Sequence, residues 1–288
     1  MSRTTQQGFT FIELLVTVAI IGLLMIMMMP IVSVVRDAAK SVKCMSNIRQ
    51  LSLGSIAYTA DNRGMMVSAS QHFETTIPAA APNDHAVYHK SFADLLDDYI
   101  ATNQDVHSAY GDARMVHSCP MGLPALSSAA LKDRIRQFGP QWPLHYGANF
   151  SAHGLLKNNP WFAEHGFPAD GPLYVQIRQG QINRPSEVVS FGDVALASGI
   201  GTCAGWITYS DDSLLKDPNR ADQLLDAAMP GDWTAQGNAD TLPGQIAGVY
   251  RLRYRHRGNS LANIAYVDGH VASVPFMSLQ FRNFAISY

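Results

Sequence analysis

The chain has 288 residues, a formal net charge of −2 and only 15% charged residues, whereas an average soluble protein has about 25%. No cluster of Lys and Arg occurs, so the composition offers no electrostatic basis for binding nucleic acid, and we expect no such partner. This length allows one or two domains. The part that follows the apolar N-terminal region is long enough to bury a hydrophobic core of its own.

A long uncharged segment lies close to the N terminus. After the polar residues 1–8 and Phe9, Glu13 is followed by no charged residue until Arg36, which leaves 22 uncharged residues in Leu14–Val35. As a helix this segment is roughly 33 Å long, enough to cross the hydrocarbon core of a bilayer. A carboxylate at the start of such a segment is costly in lipid, and an ionisable group in that position indicates a function.

Two simpler explanations of this segment fit it less well. A secretory signal peptide has a basic start, a shorter apolar stretch and a small-residue cleavage site. Here the apolar stretch is too long, and Pro30-Ile31-Val32 is not such a site. A plain membrane anchor explains the length of the segment but not the presence of Glu13.

The opening Gly8-Phe9, followed by Glu13 and Pro30, resembles the N terminus of type IV prepilins and of the pseudopilins of type II secretion. The resemblance implies that prepilin peptidase, a membrane enzyme, cleaves after Gly8 and methylates the new N-terminal residue, Phe9. Glu13 and Pro30 then become the fifth and twenty-second residues of the mature chain, where the family carries Glu and Pro. The resemblance also implies that the Glu13 carboxylate pairs with the Phe9 amine of a neighbouring subunit during assembly.

The N-terminal helix is predicted to continue beyond the membrane segment, because apolar residues recur at steps of three and four. Asn62 and Gly64 supply stop signals for it, and Pro30 predicts a kink or local melting near residues 27–30. Four regions follow from these signals: a leader peptide at 1–8, a transmembrane and assembly helix at 9–35, its amphipathic continuation at 36–62, and a globular pilin-like head at 63–288.

The head is predicted to be α+β, with the long helix packed on an antiparallel sheet, as in pilins. Amphipathic spacing predicts helices at Ser91–Ala101, Leu126–Phe138 and Pro218–Met229. β-Branched and aromatic residues predict strands at Leu173–Ile177, Val188–Phe191, Ile246–Tyr254 and within Asn263–Val274. Asp268-Gly269 inside the last of these predicts a hairpin with a type I′ turn, which has positive φ at both central residues.

The tail resembles the heads of prepilin-like proteins from planctomycetes and verrucomicrobia. There a His followed at a fixed interval by Asp-Gly closes the chain. Here 11 residues separate His256 from Asp268, two more than in the commonest pattern. Either the loop is longer here or His256 is not the matching histidine.

The chain has three cysteines, Cys44, Cys119 and Cys203. Because the number is odd, at least one of them stays unpaired within the chain. A disulfide is permitted if the head lies outside the cytoplasm. Cys44 and Cys119 both lie in segments that resemble the same group of heads, and this resemblance favours their pairing. Three unpaired, buried cysteines are an equally good alternative.

Four residues in the head have side chains suited to metal binding or acid–base chemistry: Asp193, His256, Asp268 and His270. Some pseudopilins hold Ca²⁺ near their C terminus, and Asp193 and Asp268 could supply oxygen ligands for it. The alternative is that all four organise loops by hydrogen bonding, with no cofactor. No nucleophile elbow, phosphate loop or dinucleotide fingerprint occurs, so we expect no enzyme.

The resemblance implies a structural subunit of a type IV pilus-like filament or of a type II secretion pseudopilus. Its partners would be copies of itself or homologous pilins, prepilin peptidase and the inner-membrane assembly platform. It would first lie in the inner membrane, with a single pass and an extracytoplasmic head, and later in a periplasmic or cell-surface filament. The alternative is a membrane-tethered extracytoplasmic binding module or enzyme exported by the prepilin route, which the size of the head mildly favours.

Overall fold

The computed structural model describes residues 10–72, 89–100, 116–117, 119–122, 146–154, 177–194, 206–207, 218–224 and 252–286. The chain divides into two compact units, Met1–Ala39 and Lys40–Tyr288. Several predicted features lie outside the described residues: Gly8, Phe9, Cys203, the helix at Leu126–Phe138, and the strand positions 173–176 and 246–251.

Helix α1 comprises Phe11–Asp61 and is uninterrupted at Pro30, so the local melting predicted there does not occur, while a kink stays a prediction. The helix ends at the predicted stop signal. Arg63 and Gly64 have positive φ values of 56° and 79°, and the Gly64 N–H donates to the Thr59 carbonyl at 2.9 Å. This is the Schellman arrangement of a helix C terminus, with Arg63 in the left-handed position that glycine usually takes.

Within the first unit, the segment Phe11–Met28 of α1 is strongly apolar and has no buried residue, with a mean hydropathy of 2.6. It is long and apolar enough to cross a membrane, judged by length and composition. An α-helix suits such a setting because it satisfies its backbone hydrogen bonds internally.

Within the second unit, the later part of α1 buries one face in the core of the head. Cys44, Ile48 and Leu51 are fully buried and belong to one hydrophobic cluster with aromatic residues of the head. Two of these aromatic rings, Phe92 and Phe191, pack with their centroids 5.2 Å apart. The steps of three and four between the buried helix residues agree with the amphipathic pattern in the sequence.

Among its described residues, the head has a five-stranded sheet and a separate two-stranded one. The strands are β1 Ser70–His72, β2 His89–Ser91, β3 Tyr146–Asn149, β4 Val189–Asp193, β5 Trp206–Ile207, β6 Leu261–Tyr266 and β7 Val271–Pro275. The large sheet has the order β5-β3-β4-β6-β7, and β1 pairs with β2. All pairs are antiparallel except that of β3 with β5. The predicted α+β, pilin-like class is confirmed, with β5 as a parallel exception.

Short helices complete the head, and two predicted helices differ from what is found. Helix α2 is Phe92–Leu96, shorter than the prediction because Ser91 belongs to β2 and residues 97–100 form turns. The helix predicted at Pro218–Met229 is wrong over the described residues: only Pro218–Arg220 forms a 3-10 turn, and Leu224 pairs with Gln280 in a β-bridge instead. Helix α3 is Phe150–His153, and further 3-10 turns lie at Gln179–Gln181 and Phe281–Asn283.

The hairpin between β6 and β7 forms as predicted, but its turn is not type I′. Gly269 has a φ of 96°, whereas the φ of Asp268 is not positive. The Tyr266 N–H donates to the His270 carbonyl at 2.9 Å and the Gly269 N–H to the Tyr266 carbonyl at 3.0 Å, so Tyr266 and His270 close a loop of three residues, 267–269. A wider loop of this kind needs only one left-handed residue, which is the glycine.

Candidate functional site

The first turn of α1 contains a reciprocal cap between Thr10 and Glu13. The Thr10 N–H and hydroxyl both donate to Glu13 Oε2 at 2.8 Å, and the Glu13 N–H lies 3.3 Å from Thr10 Oγ1. This is a capping box, in which each side chain satisfies a backbone N–H that the helix leaves unpaired. The Thr-x-x-Glu spacing could have revealed it from sequence alone. Gly8 and Phe9, the predicted processing residues, directly precede this turn in the sequence and lie outside the described residues.

In the head, β4 and the segment before β6 bring Asp193 and His256 together. Asp193 is the last residue of β4, and β4 pairs with β6. His256 is held by a backbone bridge to Leu261, the first residue of β6. His256 Nε2 lies 2.9 Å from Asp193 Oδ2, and both side chains are completely buried. Asp193 Oδ2 also accepts the backbone N–H of Asn263 at 2.8 Å.

Asn263 extends this buried pair towards helix α1 and strand β7. Its side-chain Nδ2 lies 2.9 Å from His256 Nε2 and 3.5 Å from the Ser41 carbonyl of α1. Its Oδ1 accepts the hydroxyl of Ser273, on β7. Burying such a network is favourable only where its polar groups are paired, so these contacts specify how α1, β4 and β6 fit together.

A disulfide joins Cys44 of α1 to Cys119, which is the pairing that the resemblance favoured. The Cys119 Sγ lies 4.0 Å from His256 Nε2, and His256 Nδ1 faces Met121 Sδ at 3.1 Å. Tyr146 donates its hydroxyl to the Cys44 carbonyl at 3.4 Å. Burial, and after it the negative charge of Asp193, raises the pKa of Tyr146 well above its usual value, so the phenol stays a donor.

The four residues grouped in the sequence form two separate pairs. Asp193 and His256 form the buried pair, whereas His270 Nδ1 contacts Asp268 Oδ1 at 2.6 Å on the exposed β6–β7 turn. The His270 ring also stacks on Tyr266, with centroids 4.1 Å apart. Asp193 and Asp268 therefore serve different loops, and no grouping of donors in the described ranges supports the suggested Ca²⁺ site between them.

Sequence reasoning missed a second buried pair, His153 and Ser190. His153 Nδ1 lies 2.8 Å from the Val67 carbonyl, and its Nε2 lies 2.8 Å from Ser190 Oγ. A carbonyl only accepts, so Nδ1 carries the proton and Nε2 accepts the serine hydroxyl. Burial lowers the pKa of His153 to about 4, which keeps the ring neutral. The nucleophile–base geometry is present, but His153 is fully buried and Ser190 is 2% exposed, which closes the pair to a substrate.

Residues 3–29 match the family described as the prokaryotic N-terminal methylation motif. No curated protein and no solved structure matches the chain. The matched segment includes Gly8, Phe9 and Glu13 together with most of the exposed apolar part of α1. This match supports a prepilin- or pseudopilin-like protein, whose N terminus is similar to that of type IV pilin-like substrates of prepilin peptidase and whose apolar helix fits membrane anchoring.

Proposed function

We propose that the protein is a structural subunit of a type IV pilus-like filament or of a type II secretion pseudopilus, cleaved after Gly8 and methylated on Phe9. The observation that supports this most is the methylation motif at residues 3–29, which includes the apolar helical segment Phe11–Met28, where no residue is buried. In this proposal the protein is not an enzyme, and its head is a packed structural unit.

The exposed apolar surface of α1 needs an apolar environment, since leaving it in water is unfavourable. In this proposal the environment before assembly is the inner membrane, crossed once, with the head on the extracytoplasmic side. After assembly it is the set of equivalent helices from neighbouring subunits, in a periplasmic or cell-surface filament. Association between such helices depends on van der Waals packing and on a few polar contacts.

Glu13 supplies the polar contact in this proposal. Within one chain its carboxylate already has two donors, both from Thr10, so an unassembled subunit does not hold an unpartnered carboxylate in the membrane. During assembly the carboxylate pairs with the methylated amine of Phe9 on a neighbouring subunit. A partner offsets the cost of a buried charge, and such a pairing specifies register.

The partners in this proposal follow the order of the pathway. Prepilin peptidase acts first on the Gly8–Phe9 bond. The inner-membrane assembly platform then extracts the processed subunit from the bilayer. Copies of the chain or homologous pilins receive it in the filament.

The test is the intact mass and N-terminal sequence of the native protein, taken separately from membranes and from sheared surface material. The wild type is expected to begin at methylated Phe9 and to be present in the sheared fraction. Gly8→Glu is expected to remain uncleaved in the membrane, and Glu13→Val to be cleaved and inserted but missing from the sheared fraction. Glu13→Asp, which keeps the charge, is the matched control and should lose less assembly than Glu13→Val.

Two outcomes would contradict the proposal. A Glu13→Val variant that enters the sheared fraction at the wild-type level would remove the role of the carboxylate in assembly. A wild-type chain that is processed but stays in the membrane as single subunits would instead favour the tethered binding module or enzyme.

A further inference from the structure

Three buried donor atoms converge inside the head. The Sγ atoms of Cys44 and Cys119 and the Nε2 atom of His256 all lie within 4.8 Å of one another. They come from three distant parts of the sequence: helix α1, the turn 119–122, and the segment before β6. No other group of three His, Cys, Asp or Glu donors is found in the part of the chain that the structure describes.

We propose that the chain, when this disulfide is reduced, binds one Zn²⁺ ion through Cys44, Cys119 and His256. Thiolate sulfur and imidazole nitrogen are the ligands that Zn²⁺ prefers in structural sites. In the oxidised chain the two sulfurs are bonded to each other and offer no thiolate. The disulfide and the metal site are therefore mutually exclusive states of the same residues.

The distances suit a tetrahedral ion after a small displacement. With ordinary Zn–N and Zn–S bond lengths, a nitrogen and a sulfur on one tetrahedral zinc are about 3.6 Å apart, and the observed His256 Nε2 to Cys119 Sγ distance is 4.0 Å. The two sulfurs must part to about 3.8 Å to bind one zinc ion. Reduction frees them to do so.

Asp193 is the candidate for the fourth ligand, and it would have to move towards the two sulfurs, since it lies outside the group of mutually close donors. Its Oδ2 lies 2.9 Å from His256 Nε2, near the separation of about 3.3 Å for a nitrogen and an oxygen on one tetrahedral zinc. Its Oδ1 is buried and has no hydrogen-bond partner among the described residues, which is costly unless an ion or a water satisfies it. Asn263 Nδ2 would give up its contact with Nε2 and keep the Ser41 carbonyl as acceptor.

The conversion between the two states balances with a dithiol as reductant. Two electrons and two protons pass from the reductant dithiol to the Cys44–Cys119 disulfide, which gives two thiols and a reductant disulfide. Zinc binding then releases the two thiol protons, while His256 binds the ion through Nε2 and carries its ring proton on Nδ1, which faces Met121 Sδ. In the reverse direction, a disulfide oxidant accepts two electrons from the thiolates, and the ion is released.

The surroundings indicate a structural site. All four residues are completely buried: Cys44, Cys119, His256 and Asp193. A catalytic zinc site keeps one position on the ion open to a substrate, and this burial leaves none. In the reduced chain the ion would hold α1 against the sheet in place of the disulfide. A newly made chain, which is reduced before export, would thus have its helix attached to the head.

The experiment uses the full-length, detergent-solubilised protein carrying Cys203→Ser, which removes the third thiol. After reduction by a phosphine and removal of the reductant without oxygen, Co²⁺ is added as a spectroscopic probe for Zn²⁺. One Co²⁺ per chain should bind at micromolar concentration, with thiolate-to-cobalt charge transfer and tetrahedral d–d bands that Zn²⁺ abolishes. The oxidised protein is the matched control and should show neither.

Variants then separate the ligands. His256→Gln should weaken binding at least tenfold, and Asp193→Asn should weaken it while the sulfur charge-transfer band remains. His270→Gln, in the exposed pair, should bind as the parent does. Far-ultraviolet circular dichroism reports whether each variant is folded.

One measurement needs no variant at all. In the reduced wild type, Zn²⁺ should slow alkylation of Cys44 and Cys119 at least tenfold while leaving Cys203 unchanged, as located by peptide mass. Equal alkylation rates with and without Zn²⁺, a reduced protein without a sulfur-to-cobalt band, or equal metal uptake by the oxidised protein would each overturn the proposal.

Discussion

Helix α1 contains two segments with opposite surroundings. Over Phe11–Met28 the mean hydropathy is 2.6 and no residue is buried. Between Lys40 and Asp61 the helix is less apolar, yet it buries polar residues such as Asn47 and Ser55 beside its apolar ones. High hydropathy therefore does not mark the segment that packs in the head. It marks a surface that any apolar partner can cover, whereas the head segment is held by specific polar and covalent contacts.

Removing the disulfide should have the largest effect on the free energy of unfolding, and a substitution in the exposed segment should have almost none. Cys44→Ala opens a cross-link between residues separated by 75 positions and should lower the free energy of unfolding of the metal-free head by about 4 to 5 kcal/mol, through the chain entropy it returns to the unfolded state. Urea unfolding of the full chain in detergent measures this. Leu15→Ala, in the exposed segment, is the control and should change it by less than about 0.5 kcal/mol; equal effects would remove the contrast.

The buried histidine–carboxylate pair should have the next largest effect. His256→Ala leaves the Asp193 carboxylate buried without its ring partner and should cost about 3 kcal/mol. His270→Ala removes the same chemical pair at an exposed turn and should cost less than about 1 kcal/mol. The same urea measurement compares them, and a His270 variant as damaging as the His256 variant would contradict the assignment of the buried pair as the specific one.

The stability of the head should depend on pH through the protonation of His153. Its pKa is about 4 in the folded state and near 6.5 in the unfolded state, so the unfolded chain binds the proton first as the pH falls. Stability should therefore be complete above about pH 6.5 and fall by about 2 kcal/mol between pH 7 and pH 5. His153→Gln, which can keep both hydrogen bonds without titrating, should lose this part of the slope. An unchanged slope would show that other groups carry it.

Substitution of Gly269 should have the smallest effect on the free energy of unfolding. Its φ of 96° strains any other residue, and an added Cβ would meet Ile56 Cδ1 at 2.8 Å, so Gly269→Ala should cost about 1 to 2 kcal/mol. Gly64 has a φ of 79° with nothing within 4 Å, and Gly64→Ala isolates the backbone strain. Ile56→Val should recover part of the loss in the Gly269 variant only, as measured by urea unfolding.

The parts that the sequence predicted well depend on local signals. The end of α1 follows from Asn62 and Gly64, and the β6–β7 hairpin follows from Asp-Gly between two apolar runs. The predicted form of the turn was wrong because the strand register closes a loop of three residues instead of two, which the dipeptide alone does not determine.

The parts that the sequence did not predict depend on contacts between distant residues. Asp193 and His256 are 63 positions apart and meet only because β4 pairs with β6. The separation of the four candidate residues into a buried and an exposed pair has the same origin, since burial depends on the completed fold. His153 and Ser190, 37 positions apart, meet across two short elements whose periodicity carries no signal of the pairing. Only the Thr10–Glu13 cap was readable from spacing and overlooked.

The position of the Cys44–Cys119 disulfide has a mechanical consequence. Cys44 is the first fully buried residue described along α1, and the apolar contacts at Ile48 and Leu51 follow it. Tension carried along the helix from its N-terminal end would therefore reach a covalent bond before it reaches any of these weaker contacts. Peeling acts first on the contacts nearest the pulled end, and the covalent bond would shield the contacts that follow it. The force needed to strip α1 from the head would be set by the cross-link, and a chain without it would yield at a much lower pull.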